Sequence, residues 1–230
     1  METTQQDFGK QLQRIPETVV QVIMRPGDFF SKMSKNGGLM EPFLFMVALG
    51  VAAGLIQTVL ALTGLSDAGG VVTGMAAVIL MPIMVGIFGF VSAAGLYLIW
   101  KIMGSAETFE AAYRCGAYTA AIIPITILLR PVPYLGGIIG IVWLTYLIVV
   151  ASVEAHGIKP KVAWAGFGII CALFVITSLS TEFAARRITN SLAQWQHQSK
   201  IDKLDQMSPE EAGKAMGDFM KGFGDAASKK

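Results

Sequence analysis

Long apolar blocks with few charges dominate the chain from residue 42 onward. A helix needs about 20 consecutive apolar residues to cross a hydrocarbon core about 30 Å thick. Five blocks have or approach this length, and polar clusters separate them. We therefore predict an all-α fold, a polytopic membrane helix bundle whose five transmembrane helices lie at 42–64, 72–103, 112–129, 132–153 and 162–181.

Two features of these blocks constrain the arrangement of the helices. The second block exceeds the length of one span, so it should tilt, protrude from the bilayer or bend at Pro82. Two short re-entrant halves are the alternative. Between the third and fourth blocks only Arg130-Pro131-Val132-Pro133 intervenes, which predicts a tight antiparallel hairpin of neighbouring helices.

Amphipathic segments are predicted at both ends of the chain. One apolar stripe precedes the first span, and we expect Pro16 to divide it; its members are Phe8, Leu12, Ile15, Val19 and Val22. This helix either lies in the membrane interface or packs on the cytoplasmic side of the protein. A second amphipathic helix should follow the cap at 208–211. We divide the chain into an interfacial segment 1–41, a membrane domain 42–181 and a polar tail 182–230.

Composition and charge add an orientation and exclude one class of partner. Hydrophobic residues make up 53% of the chain and charged residues 15%, and the net charge is only +2, which argues against nucleic-acid binding. With the amino terminus in the cytoplasm, nine cations lie on the cytoplasmic side and Arg130 alone lies between spans on the other. The positive-inside rule favours this orientation.

One cluster of ionisable residues lies near a predicted membrane boundary. Glu107, Glu110 and Arg114 are spaced to share a helical face, which Tyr118 continues. Such a cluster could bind a polar ligand or gate a path, or it could be an ion pair that positions the helix end. Glu154 and His156 close the fourth span and could serve proton transfer, although two ligands do not make a metal site.

The sequence contains no recognisable catalytic motif. Gly-x-Ser-x-Gly, a phosphate-binding loop and metal-ligand spacing are all missing from it, so we predict neither an enzyme nor a bound metal or cofactor. Glycines four residues apart are instead expected to allow close helix packing, at Gly50/Gly54 and at Gly136/Gly140. A third pair, Gly70/Gly74, lies at a predicted loop and is compatible with a simple turn.

Several short motifs occur together in one order. Arg25-Pro-Gly-Asp-Phe-Phe30 precedes Gly37-Gly38 and Pro42, and the later motifs are Gly104-Ser-Ala-Glu-Thr-Phe109, Tyr113-Arg-Cys-Gly-Ala-Tyr118, Pro133-Tyr-Leu-Gly-Gly137 and Val153-Glu-Ala-His-Gly157. Over about residues 20 to 181 the chain resembles bacterial members of the Yip-domain (Ypt/Rab-interacting) family. The resemblance implies five packed helices and a cytoplasmic amino terminus. Eukaryotic members interact with small GTPases, a role that does not carry over to bacteria.

Two functional hypotheses follow from the sequence. The first is a non-enzymatic scaffold or adaptor in the bacterial inner membrane that binds lipid, a protein partner or a second copy of itself. The second is a small-solute or ion transporter or channel, with a polar path near Glu107, Glu110, Arg114, Glu154 and His156. An intramembrane hydrolase is the third class considered, and it lacks a nucleophile motif.

Overall fold

The computed structural model of the chain describes residues 2–65, 70–205 and 217. Within these residues the secondary structure is helical, with eight α-helices and one 3₁₀ turn, at Ala120–Ile122. Contacts divide the chain into two compact units, 1–179 and 180–230. The helices are α1 (Glu2–Met24), α2 (Pro26–Lys32), α3 (Met40–Leu62), α4 (Gly70–Ile102), α5 (Phe109–Thr119), α6 (Ile123–Leu128), α7 (Leu135–Glu154) and α8 (Pro160–Asp205).

Five helices in the described part of the chain are long and apolar enough to cross a membrane. They span Met40–Leu62, Gly74–Ile102, Phe109–Leu128, Leu135–Glu154 and Pro160–Thr189. The predicted all-α bundle of five membrane helices is thus confirmed, and the protein is an integral membrane protein.

Three of the spans differ in detail from the prediction. The second is one helix, α4, with Pro82 inside it, so the alternative of two re-entrant halves is wrong. The third begins earlier, at Phe109, and is interrupted by the 3₁₀ turn just before Pro124, whose missing N–H breaks the α-helical ladder. The fifth does not end near 181, because α8 continues without a break to Asp205.

Glycines bring α3 and α4 into close contact. A Cβ at Gly50 would lie 2.6 Å from Cα of Pro82, and one at Gly54 would lie 2.6 Å from the carbonyl oxygen of Ala77. Gly74 faces α3 as well, and its carbonyl accepts a hydrogen bond of 2.6 Å from the hydroxyl of Thr58. Gly74 of the pair Gly70/Gly74 therefore marks a helix contact and not only a turn.

The hairpin of α6 and α7 is also tight, as predicted from its two prolines. A Cβ at Gly136 would clash with the carbonyl of Leu129, and one at Gly140 would lie 2.7 Å from the side chain of Thr126. Tyr134 takes a left-handed backbone conformation, with φ of 62°, immediately before α7 begins.

Helix α1 packs on the bundle. Val22 is fully buried, Ile15 and Val19 pack against the core, and α1 contacts α3, α5 and the 3₁₀ turn. Of the two alternatives for this segment, the structure adopts packing on the protein itself. Pro16 does not divide the helix as we expected, because α1 runs from Glu2 to Met24 with Pro16 inside it. The predicted amphipathic helix at 208–223 lies outside the described residues, apart from residue 217.

Candidate functional site

Glu110 holds the loop between α2 and α3. Its Oε1 atom accepts hydrogen bonds from the backbone N–H of Gly37 at 2.7 Å and of Gly38 at 2.6 Å. Both glycines have positive φ, 146° and 85°, a region that residues with a Cβ rarely enter. Two successive N–H groups in such a turn form an anion-binding concavity. Here the carboxylate of Glu110 occupies that concavity.

Arg114 lies one turn further along α5 and binds the same loop. Its Nη1 donates to the carbonyl of Gly38 at 2.9 Å, and its Nη2 donates to Oε2 of Glu41 at 2.8 Å. The side chain of Arg114 is only 3% exposed. Its guanidinium also lies 6.0 Å from the ring centre of Tyr118, which supplies a weak cation–π contact. A buried cation is thereby compensated by a carboxylate, a carbonyl and an aromatic face.

Glu107 contacts the same loop, although it lies in the chain before α5 begins. It forms an ion pair of 2.7 Å with Lys35. The prediction that Glu107 shares a helical face with Arg114 is wrong, because Thr108 caps α5 through a hydrogen bond from Ala111 N–H and the helix begins at Phe109. We call the assembled set the loop clamp; its residues are Lys35, Gly37, Gly38, Glu41, Glu107, Glu110 and Arg114.

A second buried cluster surrounds His156. The imidazole stacks on the indole of Trp100 with ring centres 3.9 Å apart, and its Nδ1 lies 2.9 Å from the hydroxyl of Ser105. That hydroxyl also accepts from the backbone N–H of Glu107 at 3.2 Å, which links the cluster to the loop clamp. The indole N–H of Trp100 donates to Ser152 at 2.7 Å.

Burial sets the charge state of His156, which lies just beyond the end of α7. Desolvation lowers the pKa of His156 to about 4, against a smaller opposing effect of Glu107. The imidazole is therefore neutral at neutral pH. Its Nε2 atom has no hydrogen-bond partner among the described residues. Glu154, by contrast, is exposed at the end of α7, so the structure gives the two residues different environments.

Several cavities adjoin the helices in the described part of the chain, and two of them lie beside the residues discussed above. A polar cleft of about 200 Å³ lies between α1 and α3, and an apolar groove of about 320 Å³ is lined by residues of α3 to α7. Tyr118 lines the cleft. None of Glu107, Glu110, Arg114, Glu154 and His156 lines either cavity.

The region that contains both polar clusters also matches a known family. The sequence model of the Yip1 domain matches residues 20–181. This chain belongs to the Yip1 domain family. No curated protein and no solved structure matches it. In this Yip1-domain protein the matched region begins within α1, includes the loop clamp and the His156 cluster, and ends within α8.

The partners of these polar residues are far away in the chain, so the sequence did not predict them. Lys35 and Glu41 lie 72 and 73 residues before their partners Glu107 and Arg114. Trp100 and Ser105 lie 52 and 51 residues before their partners Ser152 and His156. One signal was present in the sequence. Two adjacent glycines next to a span predict a turn with exposed N–H groups, which needs an acceptor such as Glu110.

Proposed function

We propose that this Yip1-domain protein is a non-enzymatic membrane scaffold or adaptor that organises its surroundings by binding protein or lipid partners. The observation that carries the proposal is that the polar residues near the membrane boundary bind other parts of the protein. Glu110 and Arg114 bind the backbone of the 37–38 loop, and Glu107 binds Lys35, so these groups join helices. A transport path would need such groups to face water or a solute.

The clamp gives the adaptor a fixed cytoplasmic surface. The loop clamp holds the loop between α2 and α3 against the start of α5, where the third span begins. It therefore connects α1 and α2 to that end of the third span. We place this surface in the cytoplasm of a bacterial cell, with the protein in the inner membrane, because the cations that flank the spans concentrate on that side.

Large apolar faces are available for partners in the membrane. Along α4, Ile79, Ile87 and Val91 are more than half exposed in the monomer. Ile169 and Leu173 of α8 are exposed to the same degree. Lipid or the helices of a second copy can cover these faces. Helices that associate within lipid do so largely through close van der Waals packing.

Reconstitution of the whole chain tests the proposal in two assays. In proteoliposomes, we expect no proton, ion or solute flux above that of empty liposomes. In nanodiscs, we expect self-association or capture of a lipid or protein above background. The matched variants are Glu110→Gln, which removes the clamp acceptor, and Asp28→Asn, which removes an exposed carboxylate on α2.

The two assays separate the hypotheses. Flux by the parent that Glu110→Gln or His156→Ala abolishes and Asp28→Asn preserves would replace the adaptor by the transporter. Absence of self-association and of any bound partner or lipid would remove the adaptor. Absence of flux together with association supports it.

A further inference from the structure

The polar cleft between α1 and α3 carries unusual chemistry for the end of a membrane helix. Its charged and amide side chains come from α1 and from the first turn of α3, and aromatic and aliphatic side chains form the rest of its wall. We call it the α1–α3 cleft. Its polar and aromatic lining residues are Arg14, Glu17, Thr18, Gln21, Glu41, Phe29, Phe45 and Tyr118.

Opposite charges stand one turn apart on the α1 wall. Arg14 and Glu17 are three residues apart, so their side chains emerge from neighbouring positions about 5–6 Å apart at Cβ. The guanidinium of Arg14 forms no ion pair or hydrogen bond with the described residues. Glu17 accepts one hydrogen bond, of 3.2 Å, from the amide of Gln21. The cleft thus offers a donor fork beside an acceptor that retains free lone pairs.

Aromatic rings complete the anionic end of the cleft. The ring of Tyr118 lies 4.9 Å from that of Phe29 and 5.2 Å from that of Phe45. The carboxylates of Glu17 and Glu41 line the same cleft. A carboxylate at the edge of a partly enclosed cleft attracts an ammonium group by its charge. Glu41 already neutralises Arg114, which leaves Glu17 to attract a further cation.

The position of the cleft identifies the kind of ligand. Glu41 lies in the first turn of α3, and Leu44 and Phe45 follow one turn deeper in the same membrane helix. The end of a span lies at headgroup depth, between hydrocarbon and water. Apolar side chains of Leu12, Ile15 and Leu44 also line the cleft, as an amphiphile would require. Its volume of about 200 Å³ suits a headgroup and not a whole lipid.

We propose that the α1–α3 cleft binds the headgroup of a zwitterionic phospholipid, with the phosphate at Arg14 and the ammonium at Glu17. Arginine presents paired donors that match phosphate oxygens. In phosphoethanolamine two carbons separate the phosphate oxygen from the ammonium, a spacing similar to that of one helical turn. The proposal deepens the adaptor function by naming a lipid partner, and it rests on that function.

Native mass spectrometry of the whole chain of 230 residues in detergent tests the site. The probes are dioleoyl phosphatidylethanolamine, which carries phosphate and ammonium, and dioleoyl phosphatidylglycerol, which carries phosphate alone. We expect the parent to prefer the first lipid by about tenfold in Kd, as loss of one charge-assisted interaction implies. Arg14→Gln should weaken both lipids, and Glu17→Gln should weaken only phosphatidylethanolamine.

Matched controls carry the same charge changes outside the cleft. Arg130→Gln alters an exposed cation in the loop between α6 and α7, and Asp28→Asn alters an exposed acid on α2. Both should bind the two lipids as the parent does. Equal affinity of the parent for both lipids, or an undiminished preference in Glu17→Gln, overturns the proposal.

Competition identifies the source of the recognised chemistry. Displacement of phosphatidylethanolamine by soluble phosphoethanolamine supports recognition of the headgroup. If inorganic phosphate at the same concentration displaces the lipid equally well, the cleft is only an anion site. If oligolysine displaces the lipid and phosphoethanolamine does not, the cleft binds a basic protein segment. Either result overturns the proposal. Headgroup binding without self-association or protein capture would retain the cleft site and limit the adaptor to lipid, whereas partner capture without headgroup preference would remove the cleft site alone.

Discussion

Arg114 and Glu41 form an ion pair of 2.8 Å that joins α5 to the first turn of α3. The two partners differ in exposure, since the side chain of Arg114 is 3% exposed and that of Glu41 is 49% exposed. Desolvation therefore falls mainly on the guanidinium, which needs the carbonyl of Gly38 as a further acceptor. This geometry makes Arg114 the residue on which the packing of the loop against α5 depends most.

Replacing Arg114 by lysine should destabilise the protein although the charge is kept. An ammonium lacks the planar fork that reaches Gly38 and Glu41 at once, so one of these two hydrogen bonds is lost, at a cost of about 1 kcal/mol. Thermal unfolding in detergent measures the loss. A double-mutant cycle with Glu41→Gln should show coupling between the two sites; purely additive effects would contradict the ion pair.

Glu110→Gln should loosen the loop without unfolding the bundle. The amide can still accept hydrogen bonds from Gly37 and Gly38, but the charge-assisted part is lost, about 1 kcal/mol or more. We expect faster protease cleavage or hydrogen exchange within residues 33–39. Asp28→Asn is the control, and it should leave exchange in this loop unchanged. Equal protection in both variants would show that Glu110 does not hold the loop.

Two glycine substitutions test the contact of α3 with α4. In Gly54→Ala the new methyl group would meet the backbone of Ala77 and Val78 at 2.6–2.7 Å, so the helices must separate, at a cost of about 1–3 kcal/mol. Gly95→Ala makes the same chemical change in α4 where nothing lies within 4 Å, and it should be neutral or slightly stabilising. Unfolding temperatures that fall equally in both variants would contradict the packing.

Stability should fall in acid because of His156. Burial lowers the folded-state pKa of His156 to about 4 from an ordinary value of 6.5, so protonation favours the unfolded chain. Its contribution is fully present above pH 6.5 and is lost as pH falls toward 4, by up to about 3 kcal/mol. Chemical unfolding between pH 7 and 4 measures this slope.

Replacement of each histidine in turn tests whether His156 causes this pH dependence. His156→Phe keeps a ring against Trp100 and should flatten the pH dependence between 6.5 and 4. His197→Asn, which removes the other histidine of the sequence, should retain the slope. A slope unchanged in His156→Phe would assign the acid sensitivity to other groups.

The location of the polar clusters was only partly accessible from the sequence. Spacing predicted a helix that carries Glu110, Arg114 and Tyr118, and the structure has this helix. The partners of these residues could not be predicted, because Gly38 and Glu41 are 72 or more positions away in the chain. Spacing also placed Glu107 wrongly on this helix. Thr108 caps α5, so the helix begins at Phe109, and Glu107 lies before it and pairs with Lys35.

The sequence by itself determined that the chain crosses a membrane and where its five helices lie, because the transfer of an apolar block into hydrocarbon is a sum over consecutive residues. Only the tertiary structure decided that α1 continues through Pro16 and packs on the bundle, and that Trp100 stacks on His156. Such contacts depend on how distant helices meet in three dimensions. A local pattern of apolar and polar residues does not encode which helices meet.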